Sequence, residues 1–273
     1  QYLQNTKVCL DERLGETHAT MSLLFSKEDV INLSVEEMDD IINEKFRRNE
    51  YAWNKEKKIK WDTRGRICHR LEDFCFKCPK CGKEFTMKGT ENKIECTSCG
   101  NGATMDDYYE FHPYENAVIP ESPFEWVEQE RMDIIKEIRE NPNYYFEDEC
   151  QIGNLDEYKL VGKNKTSFIV GEGKIRVDHK GMHYKGTRNG APYEFSIDYN
   201  NLYTLITEVD SSFFNFYLKG EYFDVFPKHQ TVGKFTLLVE EMHRYHINYY
   251  KNFKWNSYMY EGLELGIDLK EEK

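Results

Sequence analysis

"CFKCPKCGKEF", residues 75–85, places three cysteines three residues apart, and "ECTSCGNG", residues 95–102, adds two more at the same spacing. Two C-x-x-C pairs with a short spacer are the pattern of a four-thiolate metal site. Three cysteines in the first stretch compete for two places. A metal knuckle ends best on glycine, because the chain must turn back with positive φ. Cys78-Pro-Lys-Cys81-Gly82 and Cys96-Thr-Ser-Cys99-Gly100 both have that form, whereas Cys75-Phe-Lys-Cys78 lacks both the proline and the glycine. The ligand set read from the sequence is therefore Cys78, Cys81, Cys96 and Cys99, with Cys75 spare. Thiolates suit Zn2+, a borderline-soft ion satisfied by four ligands, and an all-protein ligand set leaves no position for substrate, so the zinc reads as structural. "KEFTM" and "NKIE" read as the two strands of a zinc ribbon, joined by a turn at "KGTEN". A module this small needs the metal to fold.

Around this module the chain divides by texture. Residues 1–25 hold two short apolar runs, "KVCL" and "HATMSLLF", that read as strand pieces closing a preceding unit. The chain opens on Gln1 with no charged-then-apolar leader, so an upstream segment in a longer gene product is expected. Residues 26–70 read as a helix and a basic linker. Ser34 and Glu37 form a capping box, and Val35, Met38, Ile41, Ile42 and Phe46 recur on one face, which predicts a helix over about 35–50. Residues 71–112 form the ribbon. Residues 121–141 form a linker helix with Ser122 as N-cap, Pro123 at its first position, Glu125 completing the box and a stop at Asn141-Pro142. Residues 146–250 are short β-branched and aromatic runs with turns at Lys180-Gly181, Asn189-Gly190 and Lys219-Gly220, followed by an amphipathic helix bearing Phe235, Leu238, Val239, Met242 and Tyr245. Residues 251–273 are a tail. The fold class is α+β. The β-rich part reads as an antiparallel barrel or sandwich closed by a C-terminal helix, a pattern that resembles pleckstrin-homology (PH) or GRAM-like domains.

Of 273 residues, 39% are hydrophobic and 32% charged, and no apolar run reaches the length of a membrane span. Five of the eight cysteines cluster between Cys75 and Cys99, which fits metal binding in a reducing, cytoplasmic setting better than a disulfide scaffold. The net charge of -12 is uneven: residues 45–70 hold ten Lys/Arg against three Asp/Glu, and residues 106–157 hold sixteen Asp/Glu against three Lys/Arg. The basic stretch, interleaved with Tyr51, Trp53 and Trp61, points either to an anionic partner or to a solvated linker packed on its neighbours.

The order of motifs carries a resemblance. "LFSKEDVINLSVEEMDDII" (24–42), "YAWNKEKKIKW" (51–61), "KCPKCGKEFTM" (77–87), "IECTSCG" (94–100), "WVEQER" (126–131) and "YYFEDE" (144–149) follow one another as in the C-terminal region of a bacterial lysophospholipid acyltransferase family, the 1-acylglycerol-3-phosphate acyltransferase-like proteins. The resemblance implies an accessory tail behind a membrane-associated catalytic domain, with a lipid- or protein-binding β domain. It also implies a cytoplasmic position peripheral to the inner face of the plasma membrane. The implied partners are an anionic phospholipid surface or the upstream acyltransferase domain. The family's catalytic signature, His-x4-Asp, is not carried over: His69 and Asp73 in "HRLED" stand one residue too close. Its phosphate-binding Glu-Gly-Thr-Arg meets "KGTR", with Lys185 for the glutamate and a hairpin for context. No catalytic residue is therefore assigned. Glu240, His243 and His246 on the last helix lack partners on a second element and read as an amphipathic face. The competing reading is a stand-alone zinc-ribbon module that binds protein or nucleic acid, with nucleic acid disfavoured by the acidic balance.

Overall fold

The computed structural model describes residues 13–46, 48–155, 167–208 and 210–247. The expected "KVCL" strand, the "EYKLV" strand and the tail lie outside them. The architecture is α+β with two antiparallel sheets, one of four strands and one of seven.

Three helices open the described chain: α1 (Lys27–Asn32), α2 (Val35–Phe46) and α3 (Glu50–Lys57). The predicted helix over 35–50 is thus two helices. The second starts because Asn49 leaves helical geometry and its side chain accepts from Ala52 N at 3.0 Å, an N-cap inside the basic stretch. "HATMSLLF" is not a strand. Among the described residues ahead of α1, Leu14 makes an isolated bridge to Asp62 and residues 18–25 join no strand.

The first sheet is a meander of β1 (Met87–Thr90), β2 (Lys93–Cys96), β3 (Gly102–Met105) and β4 (Phe111–Pro113). Two features differ from the expected two-stranded ribbon. Residues 88–90, expected in the turn, belong to β1, because residues 83–86 are consumed by the first knuckle: Cys78 N donates to Lys83 O and Phe85 N to Phe76 O. The sheet also continues beyond the second knuckle into β3 and β4. Its core reaches back into the basic stretch. Trp61 is fully buried beside Ile94, Met105 and Trp126, and its indole Nε1 donates to the buried Asn54 Oδ1 at 3.0 Å. An indole locked this way is core, not a stacking platform.

α4 (Pro123–Glu140) starts and stops as read, with Ser122 Oγ accepting from Phe124 N and Asn141 as the C-cap. It is no exposed linker. Trp126 packs into the first core and Ile134 and Ile138 into the second, while Phe124 is exposed.

The second sheet comprises β5 (Tyr145–Asn154), β6 (Phe168–Asp178), β7 (Gly181–Arg188), β8 (Ala191–Ile197), β9 (Ile206–Thr207), β10 (Phe214–Leu218) and β11 (Glu221–Pro227) in the order β8-β7-β6-β5-β11-β10-β9. Asn189-Gly190 and Lys219-Gly220 make hairpin turns with positive φ at both residues. Among the described residues the sheet does not close into a barrel: β8 and β9 are its two edges. It curls instead. β8 and β10 stand five places apart in the strand order, which would separate them by about 24 Å in a flat sheet. Yet the Phe195 and Phe216 ring centroids are 5.5 Å apart. Glycine permits the bend. Gly173 faces Gly186 across β6 and β7, and a Cβ on Gly173 would lie 2.4 Å from Lys185 O and 2.7 Å from Gly186 Cα. α5 (Val232–His246) fills the concave face with Phe235, Leu238, Val239 and Met242.

Candidate metal centre

The four sulfurs chosen from the sequence converge. The Sγ atoms of Cys78, Cys81, Cys96 and Cys99 all lie within 4.8 Å of one another. Cys78 Sγ is 3.7 Å from Cys99 Sγ, and Cys81 Sγ is 3.8 Å from Cys96 Sγ. Disulfide sulfurs would be about 2.05 Å apart. A tetrahedron whose centre lies about 2.3 Å from each sulfur has edges of about 3.8 Å. The spacing therefore suits four thiolates around one ion. Cys75 is not among them. It is fully buried in the first core, its amide donating to Leu71 O.

The two knuckles are built alike. Cys78 N donates to Lys83 O and Gly82 N to Cys78 O; at the same offsets, Cys96 N donates to Asn101 O and Gly100 N to Cys96 O. Gly82 and Gly100 close these turns with φ of 71° and 70°, a conformation that disfavours any Cβ. Cys78 and Cys96 are buried while Cys81 and Cys99 are exposed, so each knuckle presents one inner and one outer sulfur.

The surroundings differ between the inner pair. Burial opposes ionisation of Cys96, but the Thr86 hydroxyl, 3.2 Å from its sulfur, and the Ser98 and Cys99 amides outweigh it and bring the thiol down to about 6. At Cys78 burial wins and pushes the thiol up to about 12. Asn101 ties the site to the segment after β4: its Nδ2 donates to Val118 O at 2.8 Å and points at Cys78 Sγ at 3.7 Å, while its Oδ1 accepts from Val118 N. Thr86 and Asn101 were not singled out in the sequence. The one signal for Asn101 is its place directly after the knuckle glycine.

No family model, curated protein or solved structure matches the chain.

The other sequence candidates do not converge. Glu240 takes a hydrogen bond from Thr204 and pairs with Arg131, His243 Nδ1 contacts Tyr199 O, and His246 Nε2 lies 3.1 Å from His179 Nδ1. "KGTRNG" ends β7 and forms its turn to β8, with Arg188 paired to Glu221 at 2.9 Å. The basic stretch faces the chain's own acids: Lys55 pairs with Glu121 at 2.6 Å, Lys58 with Glu110 at 3.0 Å and Lys60 with Asp107 at 3.7 Å. The charge asymmetry of the sequence is thus partly compensated within the fold.

Beside the first knuckle, a cleft of about 360 Å³ runs along α4 between Pro79, Trp126 and Asp133. Glu130 lines it, almost fully buried, with Oε1 accepting from Lys77 N at 2.7 Å. Burial holds its carboxyl well above the usual range, against the opposing pull of that amide. The folded state thus keeps a proton that the unfolded chain releases above its ordinary pKa of about 4.5. This contribution is fully present below that pH and is lost as pH rises toward the folded value. Glu130→Gln is expected to flatten this decline. Urea midpoints of both proteins at pH 5 and pH 8 check it, and equal losses between the two pH values would count against it.

Proposed function

We propose that the chain is the non-catalytic accessory region of a lysophospholipid acyltransferase: a structural zinc ribbon joined through a buried helix to a PH/GRAM-like β domain. Acyl transfer to 1-acylglycerol-3-phosphate belongs to a domain upstream. The observation that carries this reading is the order of parts. A four-sulfur site with no open position is followed by seven antiparallel strands and one amphipathic helix, all within the ordered motifs that resemble that family's tail. Zinc is the ion favoured by an all-thiolate tetrahedron, and iron is the competitor that elemental analysis of the purified protein separates from it.

The partner in this reading is the upstream domain rather than an anionic phospholipid surface, since the cations expected to meet lipid include three that face Glu121, Glu110 and Asp107. A cytoplasmic position at the membrane would then follow from the catalytic domain; no helix among the described residues is long and apolar enough to cross a bilayer. The test is acyl transfer by the longer gene product, with and without residues 26–247. A longer product that cannot acylate 1-acylglycerol-3-phosphate sinks the reading.

The same ion pairs set an expectation for the nucleic-acid alternative. Binding of duplex DNA or RNA to this chain at 0.15 M salt is expected to be undetectable at micromolar protein by fluorescence anisotropy. Tight binding that weakens steeply with salt would reverse the preference between the two readings.

A further inference from the structure

We infer that α1 and α2 are a preformed docking element that seats in an apolar, cation-rimmed groove of the domain preceding them in the gene product. The inference rests on the reading above that such a domain exists. Eight of the twenty large apolar side chains exposed among the described residues fall within residues 21–46. Met21, Leu23, Val30, Ile31, Val35 and Phe46 are between 57% and 99% exposed. No described side chain of α1 or α2 is buried, and neither core cluster contains a residue of either helix. On α2, Val35, Met38, Ile42 and Phe46 recur at helical spacing and form one stripe. Exposed apolar surface concentrated this way marks an interaction site rather than ordinary surface scatter.

The helices do not depend on that partner to start. Ser26 and Asp29 cap α1 reciprocally, with Asp29 N donating to Ser26 Oγ at 3.1 Å and Ser26 N to Asp29 Oδ2 at 2.7 Å. Ser34 and Glu37 cap α2 in the same way at 3.1 and 2.8 Å. A helix that is already capped loses less entropy when it docks.

Charge selects the occupant. Residues 27–46 carry seven Asp/Glu against two Lys. A second copy would bring two acidic helices together, and an anionic bilayer would repel them. An apolar groove bordered by Lys and Arg takes the stripe and the charge together, the usual way an amphipathic helix is recognised. Position in the chain adds to this: a domain joined ahead of Gln1 stands within 26 residues of α1 and meets it at high effective concentration.

Amide hydrogen exchange on this chain and on the longer gene product tests the inference. Residues 27–46 are expected to exchange at least 100-fold more slowly in the longer product. Val35→Lys with Phe46→Lys is expected to abolish that protection and leave β5–β11 unchanged. Asp40→Lys, which spares the Ser34–Glu37 cap, is expected to weaken it in the longer product and to leave the isolated chain unaffected. Equal exchange in both proteins overturns the docking. So does protection of the isolated chain that grows with its own concentration, or that appears on adding phosphatidylglycerol vesicles. Acyl transfer is measured on the same preparation. An active product with unprotected helices overturns the docking alone; an inactive product with protected helices supports the docking and overturns the acyltransferase assignment.

Discussion

Cys78→Ser is expected to strip the metal from the chain and to melt the four-stranded sheet around it. Thiolate sites of this kind contribute apparent binding energies of about 10–16 kcal/mol at neutral pH, and in small modules that energy is folding energy. The sheet here has strands of only three or four residues, and its knuckle ends hold few buried groups besides the inner sulfurs. Serine offers a poor ligand in place of a thiolate, so the remaining sulfurs cannot complete the tetrahedron. Elemental analysis should read one metal per chain in the parent and much less in the variant. Amide exchange should rise across β1–β3 and stay slow in β5–β8, whose core is separate. Cys75→Ser is the matched control. Cys75 is equally close in sequence but sits in the core, where a hydroxyl costs about 1–3 kcal/mol and leaves the metal in place. The ligand assignment fails if Cys78→Ser keeps its metal, or if Cys75→Ser loses it.

Arg131→Met is expected to destabilise the junction of α4 and α5 by about 3–5 kcal/mol. Arg131 Nη1 donates to Glu241 Oε1 at 2.7 Å and to Glu240 Oε2 at 2.9 Å, with Glu128 Oε1 at 3.7 Å from its Nε. Glu241 is 1% exposed. Removing the guanidinium takes a cationic partner from a carboxylate that is almost fully buried. The penalty is the stranded charge, not the net worth of the pair, so Arg131→Met with Glu241→Met should recover most of the loss. Urea unfolding of the two singles and the double closes the cycle. A single-variant loss below about 1 kcal/mol would show that Glu241 finds other solvation and that the junction does not depend on Arg131.

Much of the candidate metal site was legible in the sequence because its determinants are local. C-x-x-C-Gly states both the ligands and the turn that aims them, and the same logic set Cys75 aside. Capping residues were equally local: Ser34 with Glu37, and Ser122 with Pro123, start helices where the sequence places them. Hairpins at Asn189-Gly190 and Lys219-Gly220 followed from two residues each. Strand limits in the four-stranded sheet were not local. Residues 83–86 carry strand-like side chains, yet the knuckle's backbone hydrogen bonds claim them first.

What the sequence by itself determined is therefore the set of short-range commitments: four sulfurs, two glycine-closed turns, two capped helices, two tight hairpins and the α+β class. Only the tertiary structure decided what those pieces face. It turned the basic stretch inward, burying Trp61 and setting its lysines against Glu110, Glu121 and Asp107. It made α4 a shared core element, kept the seven-stranded sheet curled but open, and left α1 and α2 uncovered. The physical reason is range. A turn or a knuckle is settled by contacts within a few residues, whereas burial and ion pairing depend on segments far apart in the chain, whose meeting no local pattern records.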